Sequence, residues 1–166
     1  MRKIKRVWVW VPTILILFII YNFSAANGIQ SSAMSAGLTD KIINFFVSVP
    51  FLDFNAAQEV ISLQVLHLFI RKLGHLTEYA ALALSMAFAL YKYRVNNHRL
   101  FSICMVFGFF YAGTDEIHQL FITGRSCQFT DVLIDCLGMS AGIIFFYVLI
   151  RVCHSISVSW RTIKNH

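Results

Sequence analysis

Apolar positions gather into four long stretches along the chain, residues 7–23, 76–93, 100–121 and 132–150, and charges enter these stretches only near their ends. At ~1.5 Å of rise per residue, each is long enough to cross the hydrocarbon layer as a helix. The pattern predicts an all-α membrane protein, a four-span helical bundle. Residues 24–38 are rich in Ser, Ala and Gly and predict a loop with little regular structure. Beyond them, Thr39 is placed to cap a short apolar helix ending near Pro50, and Asn55 to cap a second one continuing to Ile70. Polar groups interrupt both, which predicts short interfacial or re-entrant helices packed on the bundle. The connection 122–130 is short and contains Thr123-Gly124, so the third and fourth spans form an antiparallel hairpin.

Charge orients this bundle. Met1 to Arg6 holds four basic residues ahead of an uncharged stretch, the arrangement of a signal peptide or an uncleaved signal anchor. Ser24-Ala25-Ala26 loosely resembles a cleavage site, but Trp8, Trp10 and Tyr21 supply interfacial aromatics at both ends of the segment and favour the anchor. Of the 14 Lys and Arg residues, ten fall on the amino-terminal side of the predicted spans: Arg2, Lys3, Lys5, Arg6, Lys92, Arg94, Arg99, Arg151, Arg161 and Lys164. Lys41, Arg71, Lys72 and Arg125 fall opposite, together with all eight acidic residues. The bias predicts that both termini are cytoplasmic and that the carboxylates face outward.

Composition narrows the class further. The chain of 166 residues is 58% hydrophobic and 13% charged, with a mean hydropathy of +0.67; a soluble domain carries about 25% charge. One membrane domain over residues 1–166 is expected, with the lipid bilayer as its surroundings. The net charge of +6 does not point to nucleic acid, because the basic residues lie in short segments beside the spans, where topology accounts for them. Cys104, Cys127, Cys136 and Cys153 form no CxxC pair and no zinc-ligand spacing. A disulfide between Cys127 and Cys136 is not supported by their spacing.

Carboxylates are costly near lipid, so those at the span ends are the first place to look for function. Helical spacing puts Arg71, His75 and Glu78 on one face, Tyr111, Asp115, His118 and Gln119 on a second, and Asp131 and Asp135 on a third, with Lys72 next to Arg71 and Glu116 turned ~100° from Asp115 toward a different neighbour. Gly138 and Gly142 continue the aspartate face as a small-xxx-small pattern, which predicts close helix approach and presses the aspartates toward the third span. One reading is an ion-pair network that staples the helices, in which Arg71, Glu78, Asp115, Glu116, Arg125 and Asp131 act together. The other is a site. Asp115, Glu116, Asp131, Asp135, His75 and His118 offer metal ligands, but Glu116 and His118 splay on a helix and no HExxH occurs, so no cofactor is expected. Asp115 or His75 supply acid/base candidates, with Arg125 holding a phosphate. No GxSxG nucleophile is present. Recognition asks least of the cluster: Arg71, Lys72 and Arg125 grip a phosphate or carboxylate while the carboxylates orient those cations and receive donors from a sugar or peptide head group, with His75, Tyr111 and Gln119 as further binding candidates.

These stretches, Arg71-Lys72…His75…Glu78-Tyr79, Tyr111-Ala112…Asp115-Glu116…His118-Gln119…Phe121, Gly124-Arg125 and Asp131-Val132…Asp135…Gly138…Gly142, resemble the VanZ-like family of bacterial membrane proteins. Phe23-Ser24 and the serines Ser31, Ser32 and Ser35 resemble that family's first loop. Two positions depart from its pattern, Thr123 where proline is frequent and Asp135 where asparagine is common. The resemblance implies a four-span protein of the bacterial plasma membrane, with a founding member associated with resistance to the lipoglycopeptide teicoplanin. It leads us to expect a role in envelope homeostasis or glycopeptide resistance, through recognition of an envelope lipid or lipid-linked cell-wall precursor. A membrane enzyme modifying that ligand, or a structural partner of another membrane protein, are the alternatives.

Overall fold

In a computed structural model of the chain, the described residues are 7–47, 63–125 and 127–164. They form a 3-10 turn, Trp8–Trp10, and five helices: α1 (Val11–Ala25), α2 (Gly28–Val47), α3 (Leu63–Lys92), α4 (Asn97–Gln119) and α5 (Phe129–Lys164). Among the described residues, four stretches are long and apolar enough to cross a membrane, Trp8–Ala25, Leu68–Lys92, Asn97–Gln119 and Phe129–Ser157. The protein is an all-α, multi-pass membrane protein, as the hydropathy pattern predicts.

Helix α3 is the hub, packing on α5 most extensively and touching α1, α2 and α4 as well. Its sequence explains this. Tyr79, Leu82, Ala83, Met86, Ala87 and Leu90 recur every three or four residues and are all buried, and the alanines let neighbouring backbones come close. On α4 the buried stripe runs Leu100, Cys104, Gly108, Ala112 and then Glu116, one residue per turn, so a seam that is apolar in mid-helix becomes polar at one end. Phe110, in mid-span on α4, is 67% exposed, facing where lipid tails would lie.

Gly138 and Gly142 do provide a close approach, but to α3. A Cβ on Gly138 would collide with the Leu76 carbonyl, and one on Gly142 would lie 2.9 Å from the Ala80 carbonyl carbon and nearer still to its oxygen. The aspartate face of α5 is therefore pressed against the second span, not the third.

Three further expectations are corrected. Residues 28–38 are helical, not an irregular loop: Asn27 Oδ1 accepts a hydrogen bond from Gln30 N at 2.8 Å and Gln30 Oε1 accepts from Asn27 N at 3.3 Å, a reciprocal cap that starts α2. Thr39 lies buried inside α2, so no helix begins there. Residues 63–92 are one unbroken helix, so Ile70 is not the end of a separate interfacial helix; Pro50 and Asn55 lie outside the described residues. Arg71 and Lys72 mislead a reading by hydropathy, since they end an apolar run without ending a helix. The same holds for Arg151 in α5. The four cysteines are all unbridged.

Candidate functional site

Helices α1, α2, α3 and α4 and the α4–α5 connection surround a cavity of about 190 Å³ at the carboxyl end of α1. One wall is charged and carries Arg71, His75 and Glu78 from α3, Asp115 from α4 and Arg125 from the α4–α5 connection. The other wall is mainly apolar, with Ile20 and Phe23 of α1 and Met34 and Leu38 of α2. Turns of α3 bring its contributors together, since Arg71, His75 and Glu78 lie four and three residues apart on one helix face.

His75 stands between the cavity and Asp135. Its Nδ1 lies 3.4 Å from Asp135 Oδ1, with geometry short of a hydrogen bond, and neither oxygen of Asp135, a residue with no exposed surface, has another partner among the described residues. Asp115 is held in place by Gln119, whose Nε2 donates to Asp115 Oδ2 at 3.2 Å. Arg125 Nη2 donates to the Phe23 carbonyl at 2.9 Å, anchoring the connection on the last turn of α1. Burial, and next the like charge of Arg71, pull the Arg125 pKa below its ordinary value, while Asp115, Glu116 and Glu78 oppose the shift. An arginine keeps its charge through such a shift. Among the described residues, neither Arg71 nor Arg125 is taken up in an ion pair.

The other predicted residues stand apart from the cavity. Lys72 Nζ pairs with Asp131 Oδ1 at 3.1 Å, tying α3 to the first turn of α5. An acidic side chain there also complements the positive end of the helix dipole. Glu116 Oε2 accepts from Gln128 N at 2.8 Å and so closes the α4–α5 connection, in which Gly124 takes the left-handed conformation with φ 78°. Tyr111 packs tilted against Tyr79, ring centroids 6.2 Å apart, and donates its hydroxyl to the Leu17 carbonyl at 3.0 Å. His118 lies against the Tyr21 ring at 5.4 Å. The six charges expected to act as one network thus divide, with Asp131 committed to Lys72 and Glu116 to the backbone, while Arg71, Glu78, Asp115 and Arg125 share the cavity.

Sequence reasoning missed the α2 wall and Ser24. Ser24 Oγ lines the cavity, is buried and has no partner among the described residues. Ser31, Met34 and Leu38 are spaced three and four apart, the period of a helix face, which the Ser- and Gly-rich composition masked. Among the described residues, no three His, Cys, Asp or Glu side chains are grouped to hold a metal ion.

A four-span bundle with a charged and apolar cavity at one end defines the class as a multi-pass membrane protein with a polar site at the ends of its spans. The VanZ/LLP1 family pattern matches residues 9–151, and the chain belongs to that family. The match takes in α1 and every residue of the cavity. Comparisons with curated proteins and with solved structures give no match.

Proposed function

We propose that the cavity recognises the head group of an anionic amphiphile of the cell envelope, a lipid or lipid-linked cell-wall precursor, and that the protein serves envelope homeostasis or glycopeptide resistance by doing so. The observation that carries this reading is the pairing of two guanidinium groups, Arg71 and Arg125, neither in an ion pair among the described residues, with an apolar wall in one cavity. Guanidinium groups match phosphate and carboxylate oxygens, and an apolar wall suits the first part of a tail. Asp115, Glu78 and His75 face the same space and suit the hydroxyls and amides of a sugar or peptide. The ten-to-four distribution of basic residues supports cytoplasmic termini and a cavity open to the outer face of the bacterial plasma membrane.

A second reading, a membrane enzyme acting on the same ligand, is favoured by the His75–Asp135 pair at 3.4 Å. An imidazole set between a buried carboxylate and a cavity is an arrangement suited to proton transfer. Asp115→Asn and Asp135→Asn separate the two. Lipid retained on the purified protein is measured by native mass spectrometry, and the lipid and glycan pools of the cells are measured in parallel. Recognition predicts that retention and any resistance phenotype fall together. Retention kept while a product disappears would give the site to catalysis.

A further inference from the structure

At the opposite end of the bundle, a groove of about 640 Å³ opens between the end of α3, the start of α4 and α5. Its floor is aromatic: the Tyr91 ring lies 5.7 Å from Phe146, and Phe146 lies 5.7 Å from Tyr147. Tyr147 donates its hydroxyl to the Asn97 carbonyl at 2.9 Å, which fixes α5 at the level of the first turn of α4. Phe101, Ile144 and Val148 line the groove and are 44%, 62% and 51% exposed, so it opens sideways onto the lipid-facing surface. Arg151 and His98 stand at its mouth. Neither is in an ion pair among the described residues.

Ile144, Val148 and Arg151 are one and two turns apart on one face of α5, so the groove descends ~10 Å from Arg151. That is about a third of the ~30 Å hydrocarbon layer. Residues 91–101 and 144–164 contain Lys92, Arg94, Arg99, Arg151, Arg161 and Lys164 and no Asp or Glu. A second copy of the chain seated here by two-fold symmetry would set these cations against one another. An acyl chain under an anionic head group fits both the apolar floor and the charge at the mouth.

We propose that this groove is a site for one anionic phospholipid, its phosphate held by Arg151 and His98 and an acyl chain lying along Phe101, Ile144, Tyr147 and Val148. The site is separate from the cavity at Arg71 and Arg125 and stands whether or not that cavity binds a lipid. The test uses the full chain in vesicles containing phosphatidylglycerol with a photoactivatable group on one acyl chain, and maps the crosslinked peptides by mass spectrometry. Crosslinks are expected at Phe101, Ile144 or Val148, falling about tenfold in Arg151→Ala, the loss of one charge-assisted contact. Val148→Trp, which fills the groove without touching the charge, should lower them as well, and Arg99→Ala should leave them unchanged. Equal labelling by a phosphatidylcholine probe, equal loss in Arg99→Ala, or undiminished labelling in both Arg151→Ala and Val148→Trp would overturn the proposal. So would a crosslinked dimer in place of lipid adducts.

Discussion

Replacing Gly142 by alanine adds one methyl group at the place where α5 runs against the α3 backbone. That methyl would stand 2.9 Å from the Ala80 carbonyl carbon and 3.0 Å from its Cα, where ordinary contact begins at 3.4 Å, and nearer still to the carbonyl oxygen. Backbone cannot rotate away as a side chain can, so α5 must retreat by roughly 1 Å, an overpacking strain of about 1–3 kcal/mol. Alanine recovers about 1 kcal/mol in helix propensity, and the same gain applies to any helical glycine. Gly113→Ala isolates that gain, because nothing lies within 4 Å of its Cβ. Gly108→Ala is intermediate, since the three atoms nearest its methyl all belong to the Met139 side chain, with Sδ at 2.9 Å, and methionine can repack. Unfolding in detergent with increasing SDS should rank stability as Gly113→Ala at or above wild type, then Gly108→Ala, then Gly142→Ala lowest. The strain also reaches the site: Gly138 abuts Leu76, next to His75, so Gly138→Ala should widen the His75–Asp135 pair. If Gly142→Ala proves as stable as Gly113→Ala, the close α3–α5 packing is wrong, and the placement of Asp135 behind His75 falls with it.

Arg94 ends α3 at φ 59°, a conformation that costs a non-glycine residue ~1 kcal/mol, so Arg94→Gly should raise the unfolding midpoint. Removing His75 as alanine should strand the fully buried Asp135 and destabilise the protein by ~3 kcal/mol, with Asp135→Asn in the same chain restoring much of the loss. The Lys72–Asp131 pair, with the lysine side chain 41% exposed, should show a coupling of ~1 kcal/mol or less in a double-mutant cycle; a larger value would make it part of the buried network. With other cysteines removed, native Cys127 and Ile29→Cys should react with an impermeant thiol reagent from outside the cell, and Asn97→Cys only after the membrane is opened. Labelling of Asn97→Cys in intact cells would reverse the proposed orientation.

The four spans were legible because hydropathy over some twenty residues is a strong signal. Their limits were not, because Arg71, Lys72 and Arg151 interrupt the apolar pattern while the backbone continues as helix. Helix α2 was hidden for a related reason: its composition resembles a loop, and only the Asn27/Gln30 cap and the spacing of Ser31, Met34 and Leu38 betray it. Spacing along single helices grouped Arg71, His75 and Glu78 correctly, since all three line the cavity. It could not give which helix α5 faces, because that depends on the rotation of one helix against another. Hence Asp135 meets His75 of α3, Asp131 meets Lys72, and Glu116 is occupied by the backbone of Gln128.

The most direct test of the cavity as an anion-recognition site is native mass spectrometry of the protein extracted gently from its own membrane, comparing wild type with Arg71→Ala/Arg125→Ala. Each lost guanidinium contact should weaken binding about tenfold or more. The account predicts a retained phosphate- or carboxylate-bearing lipid that persists in Arg151→Ala, where the groove at the other end is weakened, and disappears from the folded double variant made in that Arg151→Ala background. The same lipid retained at the same occupancy by that variant would contradict it.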